Sequence, residues 1–320
     1  MAGEPAGRWG AWVRLWDRQE APHTLALLRL LLAGILLCDQ IRVAWLHLIV
    51  PLWGPASAGG IGDPLFQDPP PLLYRLAPDA AGTADVAFWV WTAATLLFGL
   101  GWRTRWTGLV GLLLYGQLSL VLPGADRGID MLIRNVWLVL ILSPSARVWS
   151  LDARRITGRW SGDPGPAPAW ARHLLILQLV VVYFTAGVQK VALAWTPMGH
   201  FSALYIVLHD PAVSRISHLD LLPWYPLTQL ATASTVLWEW SAPLLALSIW
   251  YRDTRLRPGR LRAWMNRHDL RTLWLGIGVV FHVGIHLTMQ IGIFPFMMMA
   301  LYVVGYHPDE ILRLLRWRRR

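Results

Sequence analysis

Long apolar stretches alternate along the chain with shorter segments that are rich in arginine. A helix needs about 20 predominantly apolar residues to cross roughly 30 Å of hydrocarbon. By this criterion the pattern predicts membrane-spanning helices at approximately 25–47, 85–101, 106–122, 128–144, 173–190, 227–250, 272–288 and 290–306. The last two belong to one apolar stretch of about 35 residues, which at about 1.5 Å per residue is too long for a single crossing. We therefore expect a break near Thr288–Gly292.

The arginines lie in alternate connecting segments. They gather before the first span, in every second loop and after the last span, whereas the other loops carry only Arg75, Arg127 and Arg215. Positively charged residues concentrate on the cytoplasmic side of membrane proteins. The alternation therefore predicts a multi-pass protein with eight crossings and both termini in the cytoplasm.

Two of the arginine-poor loops are long. Residues 51–84 are rich in Pro and Gly, and residues 191–226 carry Trp195 among several aromatic side chains without a helical period. Long apolar loops on one side of a bundle usually fold over it. The sequence thus predicts an all-α integral membrane protein, a bundle of about eight transmembrane helices with extracytoplasmic capping loops. We expect one transmembrane domain over residues 1–320 and no separate soluble domain.

The composition supports this class of protein. Apolar residues make up 55% of the chain and charged residues 15%, against about 25% charged residues in a soluble domain. The 21 tryptophans are typical of aromatic side chains at two membrane–water interfaces. The net charge of +10 follows from the arginines of the predicted cytoplasmic segments, so the expected partner is the lipid bilayer and not nucleic acid. The excess of arginine over lysine is typical of a GC-rich bacterial genome and predicts the bacterial cytoplasmic (inner) membrane.

Ionisable side chains at membrane depth are costly and need a partner or a function. Asp39 and Arg42 are three residues apart, and Asp130 and Arg134 are four apart, so each pair shares a helix face and is expected to form an ion pair. These pairs either hold the bundle together or line a polar cavity. Arg29, near the start of the first span, is expected to extend its guanidinium toward water.

Glu239 and Lys190 stand alone in their spans. Glu239 lies about halfway along the sixth span, where a carboxylate is expected to be neutral or paired with an arginine of another span. Lys190 is the only lysine of the chain and closes the fifth span. A lysine at such a position usually extends into water, whereas a desolvated lysine serves as a base at neutral pH. The sequence leaves both interpretations open.

Two histidines share a face of the seventh span. His282 and His286 are four residues apart, a spacing that holds a metal ion only when further ligands join it. His200 and His209 lie in an outer loop, and the chain contains no HExxH motif. We therefore expect no metal.

Ionisable side chains from four different spans fall in or near the predicted outer half of the bundle, and one from another span lies somewhat deeper. This bias predicts an outward-facing polar cavity, the default location for a binding site. The residues are Asp39, Arg42, Asp130, Arg134, Lys190, His282 and His286, with Glu239 somewhat deeper.

Four motifs carry a family resemblance. Val182–Trp195 reads VYFTAGVQKVALAW, which resembles the VYFIAGVKK…W segment of vitamin K-dependent γ-glutamyl carboxylases and of the bacterial HTTM-domain proteins related to them. Phe281–Pro295 reads FHVGIHLTMQIGIFP, with Phe-His and Ile-Gly-x-Phe-Pro at the family's spacing. Weaker matches are WEWSAP around Glu239 and LALLRLLLAG around Arg29. The chain is therefore identified as a member of the HTTM family.

The resemblance implies roles for two residues. Lys190 matches the lysine that is assigned in the carboxylases as the base deprotonating vitamin K hydroquinone, and His282 matches the histidine of the Phe-His motif. The chain departs from the carboxylases at Gln189, where they have a second lysine, and at Arg127–Asp130, which lacks their histidine. Part of the quinone site of the carboxylases is therefore not matched.

Three hypotheses of function follow. In the first, Lys190 is the general base of a carboxylase-like reaction on a quinol-like or other lipophilic substrate, with a quinone or hydroquinone as cofactor. In the alternative, the protein is a non-catalytic membrane partner for the maturation or export of a secreted peptide, or for another extracytoplasmic protein. A lipid or small-solute carrier would instead need a cavity that opens to both faces. The expected substrate contacts are His282, Glu239, Arg134, Asp130, His286 and Trp195.

Overall fold

The computed structural model describes residues 8–64, 67–77 and 80–317. Over these residues the fold is almost entirely helical, which confirms the predicted all-α class. Residues 318–320, three of the arginines counted after the last predicted span, lie outside the described residues.

The helices and strands are named here in chain order. The helices are α1 (Arg8–Trp16), α2 (His23–Trp45), α3 (Ile49–Trp53), α4 (Leu72–Leu76), α5 (Ala80–Leu100), α6 (Thr104–Val121), α7 (Gly128–Leu142), α8 (Leu151–Thr157), α9 (Trp170–Val188), α10 (Ala203–His209), α11 (Tyr225–Trp240), α12 (Ala242–Asp253), α13 (Arg260–Arg267), α14 (Leu270–Thr288), α15 (Phe294–Leu301) and α16 (Pro308–Trp317). Two short strands, β1 (Gln19–Glu20) and β2 (Ala167–Pro168), pair antiparallel. Short 3-10 helices are Ala56–Ala58, Pro123–Ala125, Leu193–Trp195, Pro197–Gly199, Leu222–Trp224 and Tyr302–Gly305.

The chain forms two compact units. The first contains the residues up to Arg172 together with those from Tyr306 onward, and the second contains His173–Gly305. In the first unit α2, α5, α6 and α7 pack against one another. In the second unit α10 packs on α11, and α14 packs on α12 and α15.

In the described part of the chain, four helices are long and apolar enough to cross a membrane: α2, α5, α9 and α14. They coincide with the predicted spans one, two, five and seven. Helices α6 and α7 form where spans three and four are predicted, but α7 has only 15 residues, about 22 Å at 1.5 Å per residue. Eight full-length crossings are therefore not confirmed, and the capping role of the long loops stays a prediction.

The predicted sixth span is two helices, not one. Helix α11 ends at Trp240 and α12 begins at Ala242, with Ser241 between them. Pro243 lacks an N–H group and its ring clashes with the carbonyl of the residue four positions earlier, so it opens the helix at this point. Beside this break the Ser241 hydroxyl donates to the Trp238 carbonyl at 2.6 Å.

The apolar stretch that follows breaks where the sequence predicts. Helix α14 ends at Thr288 and α15 starts at Phe294. The second part continues only to Gly305, so it is a shorter apolar helix and not a full crossing.

Arg29 is the clearest exception to the expected burial pattern. Its side chain is fully buried in α2, and its guanidinium donates to the carbonyls of Ser145 at 2.7 Å and Trp149 at 2.6 Å. The expectation that Arg29 extends toward water is therefore wrong. It closes the turn after α7, because the carbonyl groups there lack helical partners.

Candidate functional site

The first unit holds five charged side chains that we call the Asp130 cluster: Asp39, Asp126, Arg127, Asp130 and Arg134. All of them lie near the end of α2 or the start of α7. The loop that leads into α7 is thus a concentration of charge in the first unit.

Asp130 organises this cluster from the first turn of α7. Its carboxylate accepts from the backbone N–H and from Nε of Arg127, both at 2.8 Å, and from the Tyr115 hydroxyl at 2.6 Å. Arg127 also reaches Asp39 at 3.3 Å. Burial alone lowers the pKa of Arg127, but its hydrogen bond to Asp130 and the charges of Asp130 and Asp39 raise that pKa above its ordinary value.

Arg134 binds Asp126 and not Asp130. Its two terminal nitrogens donate to the two carboxylate oxygens of Asp126, each at 2.7 Å. Helical side chains lean toward the helix N-terminus, so Arg134 reaches the loop before α7. Asp130 is meanwhile occupied by Arg127 and Tyr115. The predicted Asp130–Arg134 pair is wrong for this reason.

The predicted pair of Asp39 with Arg42 is also wrong. Asp39 pairs instead with Arg127, which lies outside its own helix α2. Arg42 is exposed and has no hydrogen-bond or ion-pair partner among the described residues.

A cavity of about 290 Å³ adjoins the Asp130 cluster. Asp39, Arg42 and Asp130 line it together with apolar and aromatic side chains of α3, α5 and α6. Polar groups from two predicted spans thus meet at one cavity inside the first unit.

Lys190 and Glu239 form the polar centre of the second unit. Lys190 Nζ donates to Glu239 Oε2 at 2.6 Å and to the Ala186 carbonyl at 3.2 Å. The ammonium also lies 5.0 Å from the centre of the Trp195 ring. The two charged side chains are 17% and 6% exposed, respectively. Glu239 therefore has a lysine partner, where the sequence led us to expect an arginine or a neutral acid.

The approach of α9 to α11 makes this contact. A Cβ atom at Gly187 would lie 2.5 Å from Trp240 Cδ1 and 3.0 Å from Glu239 Cβ. Only glycine leaves room for α11 at this distance. The small residue in the AGVQK motif thus brings Glu239 within reach of Lys190.

His282 belongs to a second polar group in the same unit. It is fully buried, its Nε2 lies 2.6 Å from the Tyr183 hydroxyl, and that hydroxyl lies 2.6 Å from the Tyr302 hydroxyl. The His282 Nδ1 atom is buried without a hydrogen-bond partner in the described part of the chain. The Tyr183 ring packs on Trp238, the neighbour of Glu239 in the chain, at 4.7 Å between ring centres.

The seven site residues expected from the sequence therefore fall into separate groups. Asp130 and Arg134 belong to the first unit, and the other five belong to the second. Lys190 contacts both Glu239 and Trp195. His282 joins the two tyrosines, and His286 packs against the Phe296 ring at 4.7 Å.

Sequence reasoning missed the tyrosines. Tyr183 lies seven residues before Lys190 in the VYFTAGVQK motif, and within the span predicted at 173–190 this spacing places both on one helix face. That spacing was a usable signal. Tyr115 and Tyr302 sit in apolar helices with no charged neighbour in the sequence to mark them, and only packing reveals their partners.

An all-helical chain with four helices apolar enough to cross a membrane, and with ion pairs held inside its helical units, is a membrane protein. The HTTM domain, a membrane-associated domain of vitamin K-dependent carboxylase-like proteins, matches residues 17–216, more than half of the chain. The protein belongs to the HTTM family. No curated protein and no solved structure gives a significant match.

The matched range covers the first part of the candidate site and only some of the second. It includes the Asp130 cluster, Lys190 and Trp195, and it ends before Glu239 and His282. The carboxylate partner of Lys190 thus lies in the part of the second unit beyond the family match.

Proposed function

We propose that this HTTM protein is a carboxylase-like membrane enzyme in which the Lys190–Glu239 pair takes a proton from a quinol-like or other lipophilic acidic substrate. The observation that supports the proposal is the 2.6 Å contact between Lys190 Nζ and Glu239 Oε2 in a mostly buried setting. The catalytic base is then the pair and not an isolated lysine.

The proton balance of the pair explains this assignment. With Lys190 as ammonium and Glu239 as carboxylate, the carboxylate accepts one proton from a substrate hydroxyl. The ammonium remains beside the oxygen that has lost its proton and stabilises its negative charge. Electrostatic interactions are stronger in a water-poor site than in bulk water, so one ammonium has a large effect there.

Trp195 and His282 have supporting roles in this proposal. The Trp195 ring lies 5.0 Å from the Lys190 ammonium, a cation–π contact that restricts where the ammonium points. His282 keeps Nδ1 free for a substrate oxygen while Tyr183 holds its other nitrogen. Asp130 and Arg134 are already paired in the first unit, and His286 packs on an aromatic ring, so the proposal does not depend on them.

A hydroquinone fits the chemistry of these side chains. It would supply an acidic hydroxyl and an apolar ring, and Lys190, Glu239 and His282 offer one cation, one proton acceptor and one unpartnered ring nitrogen. The surrounding Trp195, Tyr183 and Trp238 rings would provide an aromatic environment. These residues would hold the cofactor.

The test uses the full chain in lipid nanodiscs with vitamin K hydroquinone as the probe. We expect Lys190→Arg to lower the aerobic rate of hydroquinone consumption by about 100-fold or more, because the larger planar guanidinium cannot take the position of the ammonium beside the oxygen that loses its proton. Glu239→Gln should lower the rate to a similar extent, because the amide accepts no proton from the substrate. Consumption is followed by chromatography of the extracted lipids.

Gln189→Ala is the matched control, because Gln189 is the exposed neighbour of Lys190 in the same motif. It should leave the rate unchanged. All variants must keep the melting temperature of the original protein within a few degrees. A fully active Lys190→Arg protein would contradict the proposal.

The non-catalytic alternative is favoured by a different observation. The segment between α9 and α11 exposes large apolar side chains, with Met198 82% and Val191 80% exposed. A secreted peptide docking there would lose binding in Met198→Glu and keep it in Lys190→Arg. The two variants therefore separate a docking protein from an enzyme.

A further inference from the structure

Two residues that line the cavity beside the Asp130 cluster each have a buried polar atom without a partner. Gln40 is 1% exposed and Trp91 is 5% exposed, and both line the cavity. Gln40 Oε1 and Trp91 Nε1 have no hydrogen-bond partner within the described residues. A buried polar group without a hydrogen-bond partner costs free energy of folding, so both atoms need an explanation.

The orientation of the Gln40 amide is fixed by its neighbour. The Thr95 hydroxyl donates its hydrogen to the Trp91 carbonyl at 2.8 Å, so towards Gln40 it can only accept. The Gln40 atom 3.1 Å from Thr95 Oγ1 is therefore the amide nitrogen. The carbonyl oxygen of Gln40 is left as an acceptor that needs a donor, and the Trp91 indole is a donor that needs an acceptor.

The charges around the cavity add two further requirements. Arg42 lines the cavity and has no ion-pair partner among the described residues. Asp39 is held by one contact, 3.3 Å from Arg127, and its side chain stays 22% exposed. Asp126 and Asp130 are occupied by Arg134 and Arg127. Arg42 is thus a cation without a partner, and Asp39 shares its one partner, Arg127, with Asp130. A ligand that carries an anion and a cation can pair with both side chains.

The wall of the cavity continues onto an exposed apolar surface. Leu46 lines the cavity and is 49% exposed, and Ile41 and Trp45, on the same end of α2, are 62% and 81% exposed. In a membrane protein such a surface faces lipid. A ligand held in the cavity can therefore extend hydrocarbon chains along α2 without leaving the bilayer.

We infer that this cavity binds the phosphoethanolamine headgroup of a membrane lipid. The phosphate pairs with Arg42 and accepts from the Trp91 indole, while the primary ammonium donates to Gln40 Oε1 and Asp39. The cavity, at about 290 Å³, is close to the lower end of the size range of small-molecule sites, about 300–1,000 Å³, which suits a single headgroup. The acyl chains lie along Ile41 and Trp45. The site is separate from Lys190, so its failure would leave the proposed function untouched.

The chemistry predicts which lipids the site rejects. A phosphocholine headgroup carries the same charges, but its quaternary ammonium has no N–H and cannot satisfy Gln40 or Asp39. A phosphoglycerol headgroup has no cation for Asp39. Preference for a primary ammonium over a quaternary one is therefore the signature of the site.

The experiment exposes the purified full chain to an equimolar mixture of dioleoyl phosphatidylethanolamine, phosphatidylcholine and phosphatidylglycerol in mixed micelles. Native mass spectrometry then counts the retained lipids. We expect one phosphatidylethanolamine per chain, preferred over phosphatidylcholine by about tenfold, the effect of one hydrogen bond to a charged group. Gln40→Leu should remove the preference, and Arg42→Gln should weaken retention of both lipids.

Two matched controls come from the same unit. Arg75→Gln changes an exposed arginine outside the cavity, and Trp89→Phe changes an exposed tryptophan on α5, the helix that carries Trp91. Both should leave retention unchanged, whereas Trp91→Phe should weaken it. Arg42 is exposed, so Arg42→Gln tests the site even if Gln40→Leu fails to fold.

Three results would overturn the inference. Equal retention of phosphatidylethanolamine and phosphatidylcholine by the original protein would exclude recognition of the ammonium. Preference for phosphatidylglycerol would indicate a site for anions only. Displacement of the lipid by millimolar free phosphoethanolamine would show that the occupant is a soluble zwitterion and not a membrane lipid.

Discussion

Arginine side chains in this protein bind groups that lie outside their own helical turns. Arg29 reaches two carbonyl oxygens in the segment after α7, and Arg134 reaches back to the loop before its helix. A long guanidinium side chain in an apolar unit takes the partner that completes its hydrogen bonds, which need not be the carboxylate at the nearest helical spacing. The spacing rule for ion pairs on isolated helices therefore fails for Arg134.

The two possible partners of Arg134 can be separated by double-mutant cycles. For Asp126→Asn with Arg134→Gln we expect a coupling free energy of about 1–3 kcal/mol, because the pair is bidentate and mostly buried. For Asp130→Asn with Arg134→Gln the coupling should be much smaller. The free energy of unfolding is measured by titrating the protein in mild detergent with sodium dodecyl sulfate.

The reverse order of the two coupling energies would mean that Arg134 pairs with Asp130, as helical spacing alone suggests. A variant of Arg105, an exposed arginine on α6, serves as the reference for a charge change without a partner. It should shift the free energy of unfolding by less than about 0.5 kcal/mol.

At the scale of helices, glycines decide how closely neighbours approach. Gly187 admits α11 to α9, and Gly278 of α14 lies against the Tyr302 hydroxyl and the Trp238 ring. Gly276, two residues earlier on α14, faces open space. The sequence does not distinguish these three glycines. They differ in the side chains of neighbouring helices that lie against them.

This difference predicts opposite effects of the same substitution. Gly278→Ala should lower the melting temperature by several degrees, because the added methyl group overlaps Tyr302 and Trp238 and over-packing costs about 1–3 kcal/mol. Gly276→Ala should keep or raise it, because alanine restricts the unfolded chain and meets no atom within 4 Å. Both are measured by thermal unfolding in the same detergent.

Equal losses in the two alanine variants would show that α14 is sensitive to any change and that close packing at Gly278 has no special importance. Retained stability in Gly278→Ala would place Tyr302 farther from α14 than the structure has it.

At the scale of the whole molecule, the alternation of arginine-rich and arginine-poor segments predicts an orientation in the membrane. The single cysteine, Cys38, is exposed, so a Cys38→Ser protein is a clean background for labelling. In that background we expect a membrane-impermeant maleimide to label Arg75→Cys in intact cells. Arg155→Cys, at a position whose side chain is 65% exposed, should be labelled only after the membrane is permeabilised.

Labelling of both cysteines in intact cells, or of Arg155→Cys alone, would contradict the predicted orientation. Loss of labelling at Arg75→Cys after deliberate blocking of outer thiols provides the control for reagent access. The result also fixes on which side of the membrane the loop that carries Arg75 lies.

Much of the fold was readable before any coordinates. Apolar length and period located α2, α5, α9 and α14, and the break between α14 and α15 followed from a stretch too long for one crossing. The sixth span is predicted as one helix because the length of an apolar stretch is not changed by Pro243, which breaks the helix. For the candidate site, the sequence marked Lys190, Glu239 and Trp195 separately as unusual residues, and it gave Glu239 the wrong kind of partner.

The sequence by itself determined the class of this protein, its principal apolar helices and its family, because hydropathy, charge distribution and short motifs are properties of the linear chain. Only the tertiary structure decided which charges meet: Lys190 with Glu239, Arg134 with Asp126, and Gln40 with a cavity that leaves its carbonyl free. The physical reason is distance. A hydrogen bond forms within about 3 Å, and residues far apart in the sequence reach that distance only where packing of whole helices brings them together.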